Sequence, residues 1–353
     1  MSFLENKNKS NLKSFDQKMS VRPKGTQKTF KNVINNFNKF SKENYDDRDA
    51  DTVFSEMALI KDNGMDKIYD VLQGWINYNF NNSIAPSVIS MWFSYLKKYL
   101  RHLGIKITSD DVKENLEFPQ KQEEEPYPLQ LEEFRSILEV AKPRKRALYF
   151  ALIGSAMRIG EAVQIRKKDL DLETKRITVN IPARITKLKK ARVTFLSIEA
   201  GNTIRSKLEK LSDEDLVWGT NDDVDKSTNT ERITFGKYCE RANLGMKYDS
   251  TGRRKINLHS LRAYFITKVS RHDENFAKKI AGQKGYMLQY DRLTVKEKLK
   301  LYLEVEPDLL IYSSIVKDKE IKRLKEANEK LQQQGNKIED LARRLRIMEK
   351  SKK

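Results

Sequence analysis

The sequence predicts a mainly α-helical protein with a small antiparallel β-sheet, an α+β fold built as two domains with extensions. Apolar residues recur at three- and four-residue spacing over most of the chain, which is typical of amphipathic helices. Two short segments instead alternate and are rich in β-branched residues, as strands are. At 353 residues the chain also exceeds what one hydrophobic core organises, so two compact domains are expected.

Composition favours a nucleic-acid partner. The formal net charge of +19 points to a polyanion, most commonly a phosphate backbone. Cys239 is the only cysteine, so no internal disulfide forms, and no Cys/His spacing suits zinc; we expect no metal and no cofactor. No apolar run approaches the roughly 20 residues that cross a bilayer, and the N-terminus lacks a signal peptide's apolar core. A soluble, cytoplasmic protein without membrane partners is expected.

Residues 1–51 are predicted to form a basic, flexible arm. Lys, Asn and Ser dominate this segment, and Arg22-Pro-Lys-Gly-Thr-Gln-Lys28 is a basic patch. Such an arm either contacts phosphates or only keeps the chain soluble, and the sequence leaves both possibilities open.

Residues 52–117 are predicted to form a helical domain. Two sets of apolar residues recur at helical spacing, namely Ile68, Val71, Leu72, Trp75 and Ile76, and then Ile89, Trp92, Phe93, Leu96, Leu100 and Leu103. Turn residues separate the sets, and Pro86 suits a helix start. The second helix carries Lys97, Lys98 and Arg101, a basic flank that is either simply solvated or contacts DNA.

Residues 118–128 are predicted to form an interdomain linker, because they combine three prolines, an acidic run and little apolar content. Residues 129–316 form the predicted catalytic domain. Its helices cover Leu131–Leu138 and Arg146 to about Ile153. Its strands cover Arg176–Ile181 and Arg192–Ser197, with a lysine-rich turn between them.

Residues 317–353 are predicted to form a coiled-coil-like helical tail. Leu324, Leu331, Ile338 and Leu345 lie seven apart, with Ile321 and Ala342 at the other seam position. Asn328 and Gly335 interrupt the seam, which favours weak or conditional assembly; a lone charged helix is the alternative.

Two arginine-containing segments carry the candidate chemistry. Arg158 follows an apolar helix and a small-residue turn, with Glu161 three positions on. His259 and Arg262 stand three apart, on one face of a helix. Cutting and rejoining a DNA strand without external energy needs a side-chain nucleophile, cations that meet the charge on the phosphate oxygens, and an acid for the leaving oxygen. Two arginines, a lysine or histidine and a hydroxyl supply these without metal.

The order and separation of these segments resemble the tyrosine recombinase, or phage-type integrase, family. Arg158 and its flanks resemble the first family box, and His259-Ser-Leu-Arg262 resembles the second, a His-x-x-Arg motif. The resemblance runs from about Leu129 to Tyr312, with a looser match to the helical core-binding domain upstream. The stretch from Tyr290 to Tyr312 resembles integrases of archaeal viruses and plasmids. The fold implied is a helical DNA core-binding domain followed by a tyrosine recombinase catalytic domain.

The resemblance implies a role for each matching residue. Arg158 and Arg262 would bind the scissile phosphate, and His259 would assist proton transfer and orientation. Lys187 is the expected hairpin lysine that protonates the leaving oxygen. Lys189 and Lys190 are close enough to keep that assignment open, and both are expected to contact DNA.

The chain departs from the family pattern at Gln283, where a His or Trp is usual. Glutamine donates a hydrogen bond to phosphate but is no acid at neutral pH, so we expect a phosphate-binding role there. Proton transfer then falls to Lys187 and His259, or to Lys284.

The nucleophile is expected to be Tyr290, seven residues after Gln283 and slightly short of the family spacing. Tyr286 is too close to Gln283, Tyr302 lies in a predicted amphipathic helix, and Tyr312 is a further competitor.

The resemblance implies site-specific DNA recombination or integration through a 3′-phosphotyrosyl intermediate. Four protomers would act on two sites of double-stranded DNA, without metal or ATP. Two alternatives stay open. A non-catalytic architectural protein with this fold would bind DNA in a salt-sensitive way, and a type IB topoisomerase would relax supercoils as a monomer.

Overall fold

A computed structural model of the protein describes residues 11–285 and 292–312, together with Asn328, Gln332, Gln334, Gly335 and Lys337. The chain divides into two compact units, one ending at Glu124 and the other beginning at Glu125. The fold is mainly helical with one small antiparallel sheet, so the predicted fold class is confirmed.

The first unit is a helical bundle. Its helices are α1 (Leu12–Met19), α2 (Lys24–Asn44), α3 (Ala50–Ile60), α4 (Met65–Asn81), α5 (Pro86–His102) and α6 (Ser109–Asn115). Aromatic rings fill its core: Phe37 stacks on Phe54 with centroids 4.3 Å apart, and Phe54 meets the ring of Tyr99 edge-on. The break between α4 and α5 lies where the sequence predicts it, and Pro86 opens α5.

The prediction of a flexible arm over residues 1–51 is wrong for most of the part that the structure describes, because α1, α2 and the start of α3 form there. Phe30, Val33, Ile34, Phe37 and Phe40 recur on one face of α2 and are buried in the bundle core. Most Lys and Asn residues of α2 are exposed, whereas Asn36 and Asn38 are half-buried and hydrogen-bond to other helices of the bundle. The abundance of Lys and Asn obscures the apolar stripe when composition is averaged along the segment.

The second unit carries eight further α-helices among the described residues. These are α7 (Leu131–Val140), α8 (Pro143–Ser155), α9 (Ile159–Ala162), α10 (Ile198–Leu208), α11 (Val224–Arg241), α12 (Leu258–Ser270), α13 (Glu274–Ala281) and α14 (Val295–Val305). Every residue of helix α8 from Ala147 to Ser155 is buried, and the helix packs against α10 and α12. It therefore forms the centre of this unit, and the residues that follow it are held against a rigid core.

The sheet has three antiparallel strands in the order β1 (Leu170–Asp171), β2 (Thr178–Ile181) and β3 (Arg192–Phe195). Strands β2 and β3 are the two that the alternation predicts, and Ile181 pairs with Arg192 across them. Strand β1 has two residues, too few for an alternating pattern to reveal it. The lysine-rich connection joins β2 to β3 at the end of the sheet where Ile181 pairs with Arg192.

Most of the predicted tail, 317–353, lies outside the described residues, and so do the apolar positions of its seam. Across the described part of the chain, no helix combines the length and apolar character that spanning a bilayer requires.

Candidate active site

Four of the predicted site residues line one cavity of about 1000 Å³ in the second unit. Arg158 comes from the turn between α8 and α9, and Lys187 from the β2–β3 connection. His259 and Arg262 come from the first two turns of α12. Segments separated by more than a hundred residues in sequence therefore bring three kinds of cationic or ionisable side chain to one concave surface.

A left-handed turn places Arg158. Helix α8 ends at Ala156, whose φ of 54° lies in the left-handed region and turns the chain sharply. Two residues later, Arg158 caps α9, and Glu161 binds it twice: Oε2 accepts from the Arg158 backbone N–H at 2.9 Å and Oε1 from Nη1 at 2.9 Å. The guanidinium stays about 30% exposed, facing the cavity.

Arg262 is the most deeply placed cation of the cavity. Its side chain is buried, Nη1 donates to the carbonyl of Ala156, and Nη2 donates to the carbonyl of Ala281 at 2.6 Å. Burial, with the neighbouring charges of Arg158 and Arg192, lowers the pKa of Arg262 to about 10, so it keeps its charge at pH 7. A guanidinium has more donors than these two bonds use, so Arg262 can also donate to an anion that enters the cavity.

His259 lies at the start of α12, one turn before Arg262. The Asn257 side chain caps the helix and accepts from the His259 backbone N–H at 2.8 Å, leaving the imidazole at the cavity surface. Partial burial, then the charges of Arg262 and Arg158, lower the pKa of His259 below its ordinary 6.5. The ring is therefore neutral at pH 7 and can accept a proton.

A second cavity, of about 840 Å³, lies beside the first and shares Arg158, Thr186 and Lys187 with it. Lys189 and Lys190 line the second cavity only, and Lys189 Nζ donates to the Arg184 carbonyl at 2.8 Å. Lys187 is thus the lysine of the β2–β3 connection that lines both cavities. This placement favours Lys187 over its neighbours for a role beside the arginines.

Gln283 lines the second cavity together with Arg158 and Lys187. It follows Gly282, which ends α13 in the left-handed conformation with φ 62°, and the Gln283 backbone N–H donates to the Lys278 carbonyl at 2.9 Å. This pattern is a standard helix ending and leaves the Gln283 side chain exposed. Lys284 lines the same cavity.

Arg192, the first residue of β3, belongs to the site although no sequence motif identified it. Its guanidinium is 9% exposed and binds Glu161 through two nitrogens, Nη1 at 3.1 Å and Nη2 at 2.6 Å. Burial alone would raise the pKa of Glu161, but hydrogen bonds and charge from Arg192 and Arg158 outweigh it and lower that pKa. A sequence signal existed: period-two alternation puts Arg192 on the same strand face as buried Thr194.

The described tyrosines do not reach the cavities. Tyr302 is fully buried and donates to the Gly154 carbonyl at 2.6 Å, and burial raises its pKa well above the ordinary value. Tyr312 packs against Phe150 and lines neither cavity. Both are therefore poor nucleophile candidates. Tyr286 and Tyr290 lie outside the described residues.

The basic residues predicted on the first unit lie on α5. Lys98 and Arg101 are exposed, Lys97 is half-buried, and Lys98 Nζ lies 5.1 Å from the centroid of the Tyr95 ring. Over the residues that the structure describes, no cluster of His, Cys, Asp or Glu is arranged to hold a metal ion.

Comparisons with known proteins agree with this architecture. Residues 128–282 match the phage integrase family. The tyrosine recombinase XerA of Thermococcus kodakarensis is 33% identical over 195 residues, which cover 53% of this chain and 63% of XerA. Residues 128–282 therefore carry a phage integrase domain, and the aligned part of the chain spans a little under two thirds of the length of XerA.

Solved structures share the fold at low sequence identity. A lambda integrase (75–356) dimer bound to a COC′ core site has a TM-score of 0.55 and 14% identity, covering 80% of this chain and 98% of that one. The XerH site-specific recombinase bound to palindromic difH has a TM-score of 0.51 and 17% identity, covering 82% of each chain.

Proposed function

We propose that this protein is a site-specific DNA recombinase or integrase that cleaves and rejoins strands through a tyrosine nucleophile. The observation that carries the proposal is the convergence of Arg158, Lys187, His259 and Arg262 on one cavity. The cavity joins two guanidinium groups, a neutral imidazole and an ammonium group, which is the set that phosphodiester transfer without metal requires.

Cleavage begins when the Tyr290 hydroxyl oxygen attacks the scissile phosphorus. A bond forms between that oxygen and phosphorus, and the bond from phosphorus to the 5′ oxygen breaks, leaving a 3′-phosphotyrosyl link. Arg158 and Arg262 donate to the non-bridging oxygens, where charge grows in the transition state. A 5′-hydroxyl from a partner strand then attacks the phosphotyrosine, and the tyrosine leaves.

Two protons move in the cleavage step. His259, neutral at pH 7, accepts the proton of the attacking tyrosine, and Lys187 donates one to the departing 5′ oxygen. Gln283 adds a hydrogen bond to the phosphate without taking part in proton transfer. Strand rejoining reverses both transfers, so the reaction consumes no net proton.

Double-stranded DNA is the proposed substrate. The net charge of +19 and the exposed cations on α5 and the β2–β3 connection, including Lys98, Arg101, Lys189 and Lys190, suit a phosphate backbone. The fold relatives include a lambda integrase dimer bound to a core site and XerH bound to difH. By analogy, recombination would join two DNA sites within a tetramer of this chain.

Covalent capture tests the proposal without knowledge of the target site. The protein is incubated with a pool of nicked duplexes whose central segment is randomised, because a nick lets the cleaved fragment diffuse away and traps the adduct. Denaturation-resistant complexes are purified, amplified and reselected. We expect enrichment of one sequence and an adduct that Tyr290→Phe abolishes. No adduct after repeated rounds would overturn the proposal.

The same selection separates the two alternatives. An architectural protein would bind the pool and yield no adduct at any round. A type IB topoisomerase would form adducts and relax a supercoiled plasmid that lacks the enriched sequence, whereas the proposed recombinase exchanges strands only between two copies of that sequence.

A further inference from the structure

We infer that Arg192 is a positioning residue that holds Arg158 and the end of α13 in the geometry needed for strand cleavage. The inference rests on the proposed function, since it concerns the same site. Arg192 lies on β3, outside both the Arg158 motif and the His-x-x-Arg motif.

Arg192 connects three elements of the second unit. It begins β3, its Nη1 and Nη2 bind the carboxylate of Glu161 on α9, and its Nε donates to the Ile280 carbonyl on α13 at 2.9 Å. The side chain is more than nine-tenths buried, so water competes little for these bonds. A planar guanidinium suits this arrangement because its donors point in fixed directions.

The bond to Glu161 controls the charge that Arg158 can offer. Glu161 is 2% exposed and binds both Arg192 and Arg158. Without Arg192, the buried carboxylate would have Arg158 as its main counter-charge, because a buried charge needs a close partner. Arg158 would then be held against Glu161. With Arg192 in place, Glu161 orients Arg158 while part of the positive charge stays available to a phosphate.

The bond to Ile280 belongs to a row of three arginines at the C-terminal end of α13. The carbonyls of Ile280, Ala281 and Gly282 accept from Arg192, Arg262 and Arg158 respectively, the last at 3.4 Å. Final carbonyls of a helix lack partners within the helix and carry partial negative charge, so cations bind there favourably. Of the three arginines, Arg192 is the one that connects the end of α13 to the sheet.

Gly282 shows how closely Arg192 fits. A Cβ added at Gly282 would lie 2.8 Å from Arg192 Cδ and 2.9 Å from its Nε, closer than atoms pack. Glycine therefore serves two purposes there, since its φ of 62° also favours a residue without a side chain. The turn that leads to Gln283 thus packs directly on the Arg192 side chain.

The test compares Arg192→Gln and Arg192→Lys with a matched control, Arg176→Gln. Arg176 also forms a buried two-bond ion pair, with Glu306 at 2.7 and 2.8 Å, but it lines neither cavity. For each full-length variant, the single-turnover cleavage rate at saturating DNA, the DNA Kd and Tm are measured on the duplex enriched by covalent capture, at a temperature where all are folded by circular dichroism.

We expect Arg192→Gln to lower the cleavage rate about tenfold or more, with Kd changed less than about threefold. Arg192→Lys should restore part of the rate, because lysine supplies the charge but not the fork of donors. Arg176→Gln should lower Tm and leave the rate unchanged. Wild-type rates in Arg192→Gln, or equal rate losses in Arg192→Gln and Arg176→Gln, would overturn the inference.

A second DNA isolates the effect on Arg158. A methylphosphonate at the scissile position carries no negative charge, so cleavage there depends less on guanidinium charge. The difference in rate between wild type and Arg192→Gln should shrink on this DNA; an unchanged ratio would contradict the inference. Loss of all adduct in the wild type would instead count against the proposed function, so the two failures are distinguishable. If Arg192→Gln does not fold, the ratio of wild-type to Arg192→Lys cleavage rates on the two DNAs tests the inference instead.

Discussion

Two nitrogens of Arg192 bind the two carboxylate oxygens of Glu161, at 3.1 and 2.6 Å, inside the second unit of the protein. Through this pair, the strand that follows the lysine-rich connection is fixed to the helix that Arg158 caps. The candidate site is therefore supported from the sheet as well as from the helices.

Arg158→Lys should reduce cleavage about a hundredfold or more while DNA binding is largely kept. Lysine retains the positive charge but loses the planar fork that engages two phosphate oxygens together. Single-turnover cleavage and filter-binding titrations at fixed salt measure the two effects. Cleavage within a few-fold of wild type would show that Arg158 contributes charge alone.

Gly282→Ala should destabilise the protein more than Gly252→Ala. Both glycines have positive φ, 62° and 63°, so each substitution carries a backbone strain of about 1 kcal/mol. Only at Gly282 would the new Cβ meet a side chain, since space around Gly252 is open. Chemical denaturation measures the free energies of unfolding. Equal losses for the two variants would contradict the close packing of Gly282 on Arg192.

The pH dependence of the cleavage rate should reflect the titration of His259. Its pKa lies below the ordinary 6.5 in the folded protein, so the decline of cleavage at subsaturating DNA should have its midpoint below that pH. His259→Gln should remove this acid limb and lower the plateau. A wild-type decline centred above pH 6.5 would contradict the neutral-base role.

The lowered pKa of His259 should also make the folded protein less stable as the pH falls. Because the His259 pKa is lower in the folded state, the unfolded chain binds more protons between that pKa and 6.5. The contribution of His259 to the free energy of unfolding should therefore be complete above pH 6.5 and fall as pH falls through this window. The difference in free energy of unfolding between wild type and His259→Gln, measured by urea denaturation at several pH values, isolates this contribution. A difference that grows toward acid pH would contradict the assignment.

Tyr302→Phe should weaken folding without removing the covalent adduct. The substitution deletes the hydrogen bond to the buried Gly154 carbonyl, which costs about 1–3 kcal/mol. Urea denaturation and the adduct assay together test this expectation. Loss of the adduct in a variant that is still folded would point to Tyr302 as the nucleophile.

Sequence patterns predict the helical class, the helices on either side of Pro86, and strands β2 and β3, because each depends on local periodicity. They also identify Arg158, Lys187, His259 and Arg262, which the fold brings to one cavity. The pairing of Arg192 with Glu161 and the row of arginines at α13 depend on contacts between distant segments. Period-two alternation places Arg192 on the same strand face as Thr194, but it does not show which residues from distant segments lie against that face. The helical N-terminal segment was missed because its lysines and asparagines dominate its composition.

The identity of the nucleophile is the central claim, and peptide mapping of the trapped adduct tests it most directly. Trypsin releases Gly285-Tyr-Met-Leu-Gln-Tyr-Asp-Arg292, which contains both Tyr286 and Tyr290. After nuclease digestion of the bound DNA, fragmentation mass spectrometry locates the residual nucleotide within this peptide. We predict that it is attached to Tyr290. Attachment to Tyr286 or to a peptide elsewhere in the chain would contradict the account.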